Sequence, residues 1–146
     1  MAQDTMAPQK TDQAAVTATI TGDGFATEVK PAPPHDGHTI VVDQAAAIDG
    51  GAGRGPNPFT YLYAALAGCV AQTIYSYVSR KGFKLVRATV EVFPTREGHD
   101  PVEKIELKIT LDGPELTDDQ RKRILAVAAQ CPVHKTLERG VAINDT

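Results

Sequence analysis

An α+β fold follows from three features of this 146-residue sequence. A long uncharged helical stretch runs between Arg54 and Arg80, segments of β-type alternation lie on both sides of it, and a second, strongly capped helix begins at Thr117. With 42% hydrophobic residues the chain can bury one substantial core. The sequence reads as one domain over residues 14–146. Residues 1–13 are polar and aperiodic and read as a flexible tail.

The N-terminal part reads as a three-stranded meander. Ala15, Thr17 and Thr19 alternate with Val16, Ala18 and Ile20, and Thr21-Gly22-Asp23-Gly24 supplies a turn. Phe25 to Lys30 returns as a second strand. After the break at Pro31 to His38, the β-branched run Thr39 to Asp43 forms a third. His35 and His38 frame an Asp-Gly pair. Two imidazoles at that spacing suit a metal, but with no cysteine nearby the pair reads as a turn, and His99 in its own Gly-Asp-Pro loop reads the same way. No metal site and no cofactor are expected. The glycine-rich run Gly50 to Gly55 lacks the spacing and the strand context of a nucleotide loop. Its glycines instead allow close backbone approach, and they carry Arg54, the nearest cation before the central helix.

That helix starts at Asn57 as N-cap with Pro58 at the first helical position, where a missing N–H costs nothing. Phe59, Leu62, Tyr63, Leu66, Cys69, Val70, Thr73, Ile74, Tyr77 and Val78 recur at spacings of three and four and form an apolar stripe. The other face holds Ala64, Ala65, Ala67, Gly68 and Ala71, so both faces read as covered. A membrane span needs roughly 20 predominantly apolar residues, whereas this stretch carries Thr60, Gln72, Thr73, Ser76 and Ser79. A second helix, supplied most simply by a second copy of the chain, is the expected cover. Arg80-Lys81-Gly82 ends the helix with a cationic last turn and a C′ glycine.

Val86, Ala88, Val90 and Val92 then alternate with Arg87, Thr89, Glu91 and Phe93, and Ile105 to Leu111 repeats the pattern, giving an antiparallel hairpin with one buried face. Thr117 and Gln120 form a capping box for a helix expected to bury Ile124, Leu125, Val127 and Ala128 and to reach Gln130. Cys131-Pro132 interrupts it and opens a short helix through Glu138, with Cys131 as N-cap. Free amides and the helix dipole at that position favour a thiolate, so Cys131 has a reason to be reactive. His134, one turn on, is either a proton acceptor beside it or a plain surface residue. Cys69, mid-helix, reads either as a small core hydrophobe or as a thiol activated from elsewhere.

The net charge of −3 gives nucleic acid no electrostatic support, and the polar N-terminus does not resemble a secretion signal. The expected compartment is the cytoplasm, where two cysteines are more often redox-active or metal-binding than a structural bridge. No membrane partner is expected.

Gly55-Pro56-Asn57-Pro58 running into Leu66-Ala67-Gly68-Cys69, followed by a hairpin, a helix and Cys131-Pro132-Val133-His134-Lys135-Thr136-Leu137, resembles the OsmC/Ohr family of osmotically inducible and organic-hydroperoxide-resistance proteins. The resemblance covers about Ala14 to the C-terminus. It implies an OsmC-like α+β fold, an antiparallel sheet packed with a long cysteine-bearing helix and a second helix, in an intertwined homodimer with thiol sites at the subunit interface. It also implies a thiol-dependent peroxidase: Cys69 attacks an organic hydroperoxide and becomes a sulfenic acid, Cys131 condenses with it to a disulfide, and a dithiol reductant such as a lipoyl protein resets the pair. Phe59, Leu62, Tyr63, Leu66 and Phe93 are expected to wall the substrate, with His134 beside them. Family members place a glutamate just after the helix-start proline and pair it with an arginine from the N-terminal strands. Here Phe59 and Thr60 stand at that point and no arginine precedes Arg54, so Arg54 is the candidate activating cation. Two other functions stay open: a redox-sensing or small-ligand-binding dimer with little turnover, and a metal-binding protein using Cys69, Cys131 and His134.

Overall fold

The computed structural model describes residues 12–145, so the proposed tail lies outside the described residues except for its last two positions. The elements are β1 (Val16–Ile20), β2 (Thr27–Pro31), β3 (Ile40–Val42), α1 (Pro58–Lys81), β4 (Arg87–Thr95), β5 (Lys104–Asp112), α2 (Asp118–Ala128) and α3 (Pro132–Arg139). They make an α+β protein with two antiparallel sheets. By backbone contacts the described residues form two compact units, divided between Tyr61 and Leu62.

In the first unit β1, β2 and β3 pair in sequence order, Ala18 opposite Val29 and Glu28 opposite Val41. The strands are shorter than the alternation suggests, and β1 is exposed throughout. Beyond β3 the chain is organised by Asp43, which is buried and accepts amides from Gln44 (2.7 Å), Ala52 (3.3 Å) and Arg54 (3.0 Å). One carboxylate thereby closes the whole glycine-rich loop on itself. Gly55 passes so near the Val41 carbonyl that a Cβ there would overlap it, which accounts for a glycine at that position. The first turn of α1 is capped as its sequence requires: the Thr60 amide donates to Asn57 Oδ1 at 2.9 Å, and the Tyr61 hydroxyl donates to the Val41 carbonyl at 2.7 Å.

The second unit holds the core. Leu66, Val70, Ile74, Tyr77 and Val78 of α1 meet Leu116, Ile124, Ala128 and Cys131, and the inward residues of β4 and β5 pack against them. α1 ends in a Schellman motif: Gly82, at φ 69°, donates to the Ser79 carbonyl, and Phe83 donates to the Val78 carbonyl at 3.0 Å. Phe83 then stacks edge-on against Tyr77, with ring centroids 5.7 Å apart. In the single chain Ala64, Ala65, Gly68, Gln72 and Tyr75 are exposed, so the second face of α1 is not covered within its own chain. No helix among the described residues is long and apolar enough to cross a membrane.

β4 and β5 pair antiparallel, with Val90 opposite Ile109 and Glu91 opposite Lys108. The Lys108–Glu91 ion pair at 3.4 Å is half-exposed and adds a few tenths of a kcal/mol at most, so the inward row of Ala88, Val90, Val92, Ile105, Leu107 and Ile109 holds the hairpin in place. Phe93 belongs to the outward row and is exposed, so it is not a wall of a site facing the core.

α2 has the full capping box, with Thr117 Oγ1 accepting from the Gln120 amide and Gln120 Oε1 accepting from the Thr117 amide, both at 3.1 Å. Arg121 ties the helix to the hairpin by donating to the Leu111 and Gly113 carbonyls at 2.7 and 2.8 Å. The helix stops at Ala128, two residues earlier than expected, because Pro132 forces Cys131 into an extended conformation and the chain must turn before it. Ile124 and Ala128 are buried, but Leu125 lies about 100° around the helix from Ile124 and is exposed, contrary to the expected burial.

Candidate functional site

The two cysteines, widely separated in sequence, meet inside the second unit. Cys69 sits midway along α1, half-buried against the core, and Cys131 is fully buried at the N-cap of α3. Their side chains are neighbours, close enough for Cys69 to bear on the ionisation of Cys131, and no disulfide joins them. Thr73 Oγ1 donates to the Cys69 carbonyl at 2.9 Å, fixing the turn of α1 that carries the thiol.

Cys131 is placed by the Cys-Pro sequence itself. Pro132 starts α3, and Cys131 Sγ caps it by accepting the His134 amide at 3.5 Å, a length suited to sulfur. The expected consequence, an acidified thiol, is not found. Burial pushes the Cys131 thiol above the ordinary value of 9.0, the neighbouring Cys69 thiol raises it further, and the amides of His134 and Val133 offset only part of this. The helix terminus favours the anion, but removal from water disfavours it more.

That shift predicts a stability signature. Below pH 9.0 the group is protonated in both folded and unfolded chains; above it the unfolded chain releases the proton while the folded one keeps it. The contribution is therefore complete below pH 9.0 and is lost as pH rises toward the folded value. Urea unfolding between pH 8 and 11 should show a falling stability in the wild type, by at most about 1.4 kcal/mol per pH unit from this group, and a flatter curve in Cys131→Ser. Equal slopes in the two proteins would show that Cys131 does not titrate in this way.

Beside Cys69 opens a cleft of about 370 Å³. Its α1 wall is a ladder at helical spacing: Cys69, then Gln72 and Thr73, then Ser76 and Tyr77, then Arg80. Val127 of α2 and Pro132 of α3 form the far wall. The residues expected to line a substrate site lie elsewhere. Leu66 is buried in the core, and Phe59, Leu62 and Tyr63 are half-buried and do not line this cleft. His134 is half-buried, and its Nδ1 atom is enclosed without a hydrogen-bond partner among the described residues, with Glu138 Oε2 at 4.0 Å. Arg54 belongs to the first unit, where its amide is held by Asp43 and its side chain is exposed.

Two residues escaped the sequence reading. Asp43 looked like a strand end; its signal was an acid placed where a β-branched run meets a glycine-rich loop, since Asp readily accepts nearby amides. The Arg54 amide and its neighbours hold the Asp43 carboxyl below its ordinary range against the opposing effect of burial. The sequence shows Arg80 as a helix-dipole cation; in the fold it also stands on the same face as Cys69, three turns later. Among the described residues no group of three or more His, Cys, Asp or Glu side chains is arranged to hold a metal.

The fold and site define a mixed α+β protein whose two cysteines converge between a long helix and the N-terminus of a short one. The chain belongs to the OsmC-like protein family, whose model matches residues 50–144. Among solved structures it is similar to an osmotic stress induced and detoxification response protein from Psychrobacter arcticus, at 23% identity and a TM-score of 0.70 over 87% of this chain and 90% of that one. An OsmC-like protein from Mycoplasma pneumoniae matches at 20% identity and a TM-score of 0.69, covering 88% of this chain and 89% of that one. The organic hydroperoxide resistance protein OhrB of Bacillus subtilis matches at 19% identity and a TM-score of 0.57, covering 85% and 89%. Identities this low carry the fold alone. A search of curated proteins finds no match.

Proposed function

We propose that this protein is a thiol-dependent peroxidase that reduces organic hydroperoxides, with Cys69 as the attacking thiol and Cys131 as the resolving one. The observation that carries this reading is the contact between the only two cysteines of the chain beside an accessible cleft. The Cys69 thiolate attacks the distal peroxide oxygen and the O–O bond breaks; the alkoxide takes up a proton and leaves as the alcohol, and Cys69 becomes a sulfenic acid. The Cys131 sulfur then attacks the Cys69 sulfur. The S–O bond breaks, and hydroxide leaves as water with the Cys131 proton. An external dithiol, such as a lipoyl group, returns both cysteines to thiols and is itself oxidised to a disulfide.

Burial of Cys131 keeps it from competing for peroxide, since only the thiolate is the nucleophile. Resolution then requires Cys131 to give up its proton as it attacks, and the departing hydroxide is the group that takes it. Arg54 is proposed as the cation that favours the Cys69 thiolate, with Asp43 fixing its backbone. His134, whose amide caps the Cys131 sulfur, is proposed to stand beside the reacting thiols, whereas Phe59, Leu62, Tyr63 and Leu66 do not line the cleft at Cys69 and are given no role in it. The uncharged face of Ala64, Ala65 and Gly68, small enough for close helix packing, suits a homodimer in the cytoplasm.

Stopped-flow oxidation of the reduced protein by cumene hydroperoxide, run beside hydrogen peroxide and followed by peptide mass spectrometry, tests the reading. Rapid, selective formation of a Cys69–Cys131 bond is the expected result. A second reading is favoured by Phe59 and Thr60, which stand where the family's glutamate would be; Thr60 serves the Asn57 cap instead, through its amide and hydroxyl at 2.9 Å. On that reading the dimer senses oxidants or binds a small ligand with little turnover, and slow, unselective oxidation of both thiols would establish it.

A further inference from the structure

We infer that Arg80 selects the substrate, by binding an anionic group at the far end of a hydroperoxide whose peroxide lies at Cys69. This rests on the peroxidase reading and adds to it the residue that reads the substrate's other end.

Arg80 lies eleven residues beyond Cys69 on the same face of α1, a separation of roughly 16 Å along the helix axis. Both residues border one cleft, with Gln72 and Ser76 as the intervening rungs and Val127 as apolar wall opposite. The guanidinium lies over the Tyr77 ring, 5.8 Å from its centroid, and Tyr77 is itself buried and borders the cleft. A cation–π contact of this kind holds the guanidinium beside the cleft without using its N–H groups, which are left for a carboxylate. Of the second unit's other arginines, Arg87 pairs with Asp112, Arg96 donates to the Asp100 carbonyl, Arg121 donates to two carbonyls and Arg123 pairs with Asp119, and neither these nor Arg139 border the cleft. Among the described residues Arg80 has an aromatic partner and no carboxylate.

A helix C-terminus favours a cation by itself, and Lys81 supplies one. What the dipole does not require is a cation on the Cys69 face. The cleft therefore combines a thiol at one end, a polar and apolar trough along its length, and a guanidinium over the Tyr77 ring at the other. The matching ligand is a long-chain acid carrying a hydroperoxide well away from its carboxylate.

The test is single-turnover oxidation of the reduced full-length protein by linoleic acid hydroperoxide, by its methyl ester and by cumene hydroperoxide, in the wild type, Arg80→Gln and Arg80→Lys. In the wild type the acid should react about 10-fold faster than the ester at limiting concentration, the scale of a hydrogen bond to a charged group at a half-open site. Arg80→Gln should lose that preference and Arg80→Lys should keep part of it. Binding of linoleic acid itself, measured calorimetrically, should weaken by a similar factor in Arg80→Gln, a readout independent of peroxide chemistry. Cumene hydroperoxide distinguishes the two levels of the proposal. No oxidation of Cys69 by any of the three overturns the peroxidase reading and this inference with it. Oxidation by cumene hydroperoxide with acid and ester equal overturns the role of Arg80 alone. A charge preference confined to the return step, with dihydrolipoate faster than dithiothreitol, would also overturn it, because the anion would then belong to the reductant.

Discussion

Replacing Cys69 with serine is expected to lower the rate of hydroperoxide reduction by about 10³-fold or more, the scale on which removal of a nucleophile acts. The loss comes from chemistry and not from folding. Serine is close to cysteine in volume, and Cys69 is half-buried at the margin of the core, so its apolar neighbours Val70 and Ile74 keep their contacts. A hydroxyl at this place in α1 has a further option that a thiol uses poorly, donation to the carbonyl one turn back, and this costs the helix little. The variant should therefore give an unchanged far-UV circular dichroism spectrum. Cys131 cannot substitute as nucleophile. It is wholly buried and its thiol is held above the ordinary range, so the fraction present as thiolate at neutral pH falls below that of a free cysteine. The measurement is stopped-flow consumption of cumene hydroperoxide by the reduced variant. Retention of more than a tenth of the wild-type rate would assign the attacking thiol elsewhere.

Much of the fold was legible because the signals that set it are local. Asn57-Pro58 and Thr117 with Gln120 form their caps from side chains three residues apart, and Gly82 ends α1 through its own left-handed backbone, so none of these needs the rest of the chain. The hairpin was equally plain, since a period of two across β4 and β5 admits one buried face only. The misses are tertiary. Leu125 satisfies a helical hydrophobic pattern, but the arc of α2 toward the core is filled by Ile124, Val127 and Ala128. Asp43 gains its role from amides up to eleven residues away, which only the folded loop brings round it.

The site was legible in its members and not in their surroundings. Both cysteines stood out by number and by sequence context. The state of Cys131, however, is a contest between a helix terminus, visible in Cys131-Pro132, and desolvation, which depends on what α1 and α2 pack over it. Arg80 shows the reverse. Its position on the Cys69 face could be counted from the sequence, yet its relevance depended on a cleft formed with Val127 and Pro132.

Replacing Cys131 with serine should separate the two halves of the proposed cycle. Attack by Cys69 does not use the Cys131 sulfur, so the first equivalent of hydroperoxide should be consumed at a rate within about threefold of the wild type. Without a resolving thiol the cycle stops there. Multiple turnover with a dithiol should fall by about 10²-fold, and Cys69 should accumulate as a sulfenic acid that dimedone captures, passing with excess peroxide to the irreversible sulfinic acid. The structure sets what else changes. Cys131 Sγ caps α3 by accepting the His134 amide, and a serine oxygen accepts such an amide at least as well, so α3 keeps its start and the segment keeps its place. The smaller oxygen leaves the buried pocket slightly underfilled, and the hydroxyl, wholly enclosed, must find a partner where the thiol needed little, at a cost of about 1–3 kcal/mol. A lower melting temperature with an intact single-turnover burst is thus the expected pair of results. The decisive reading is the product at Cys69 in the variant. Trapped sulfenic acid supports resolution by Cys131, whereas undiminished turnover would mean that the reductant acts on the sulfenic acid directly and that the buried cysteine is structural.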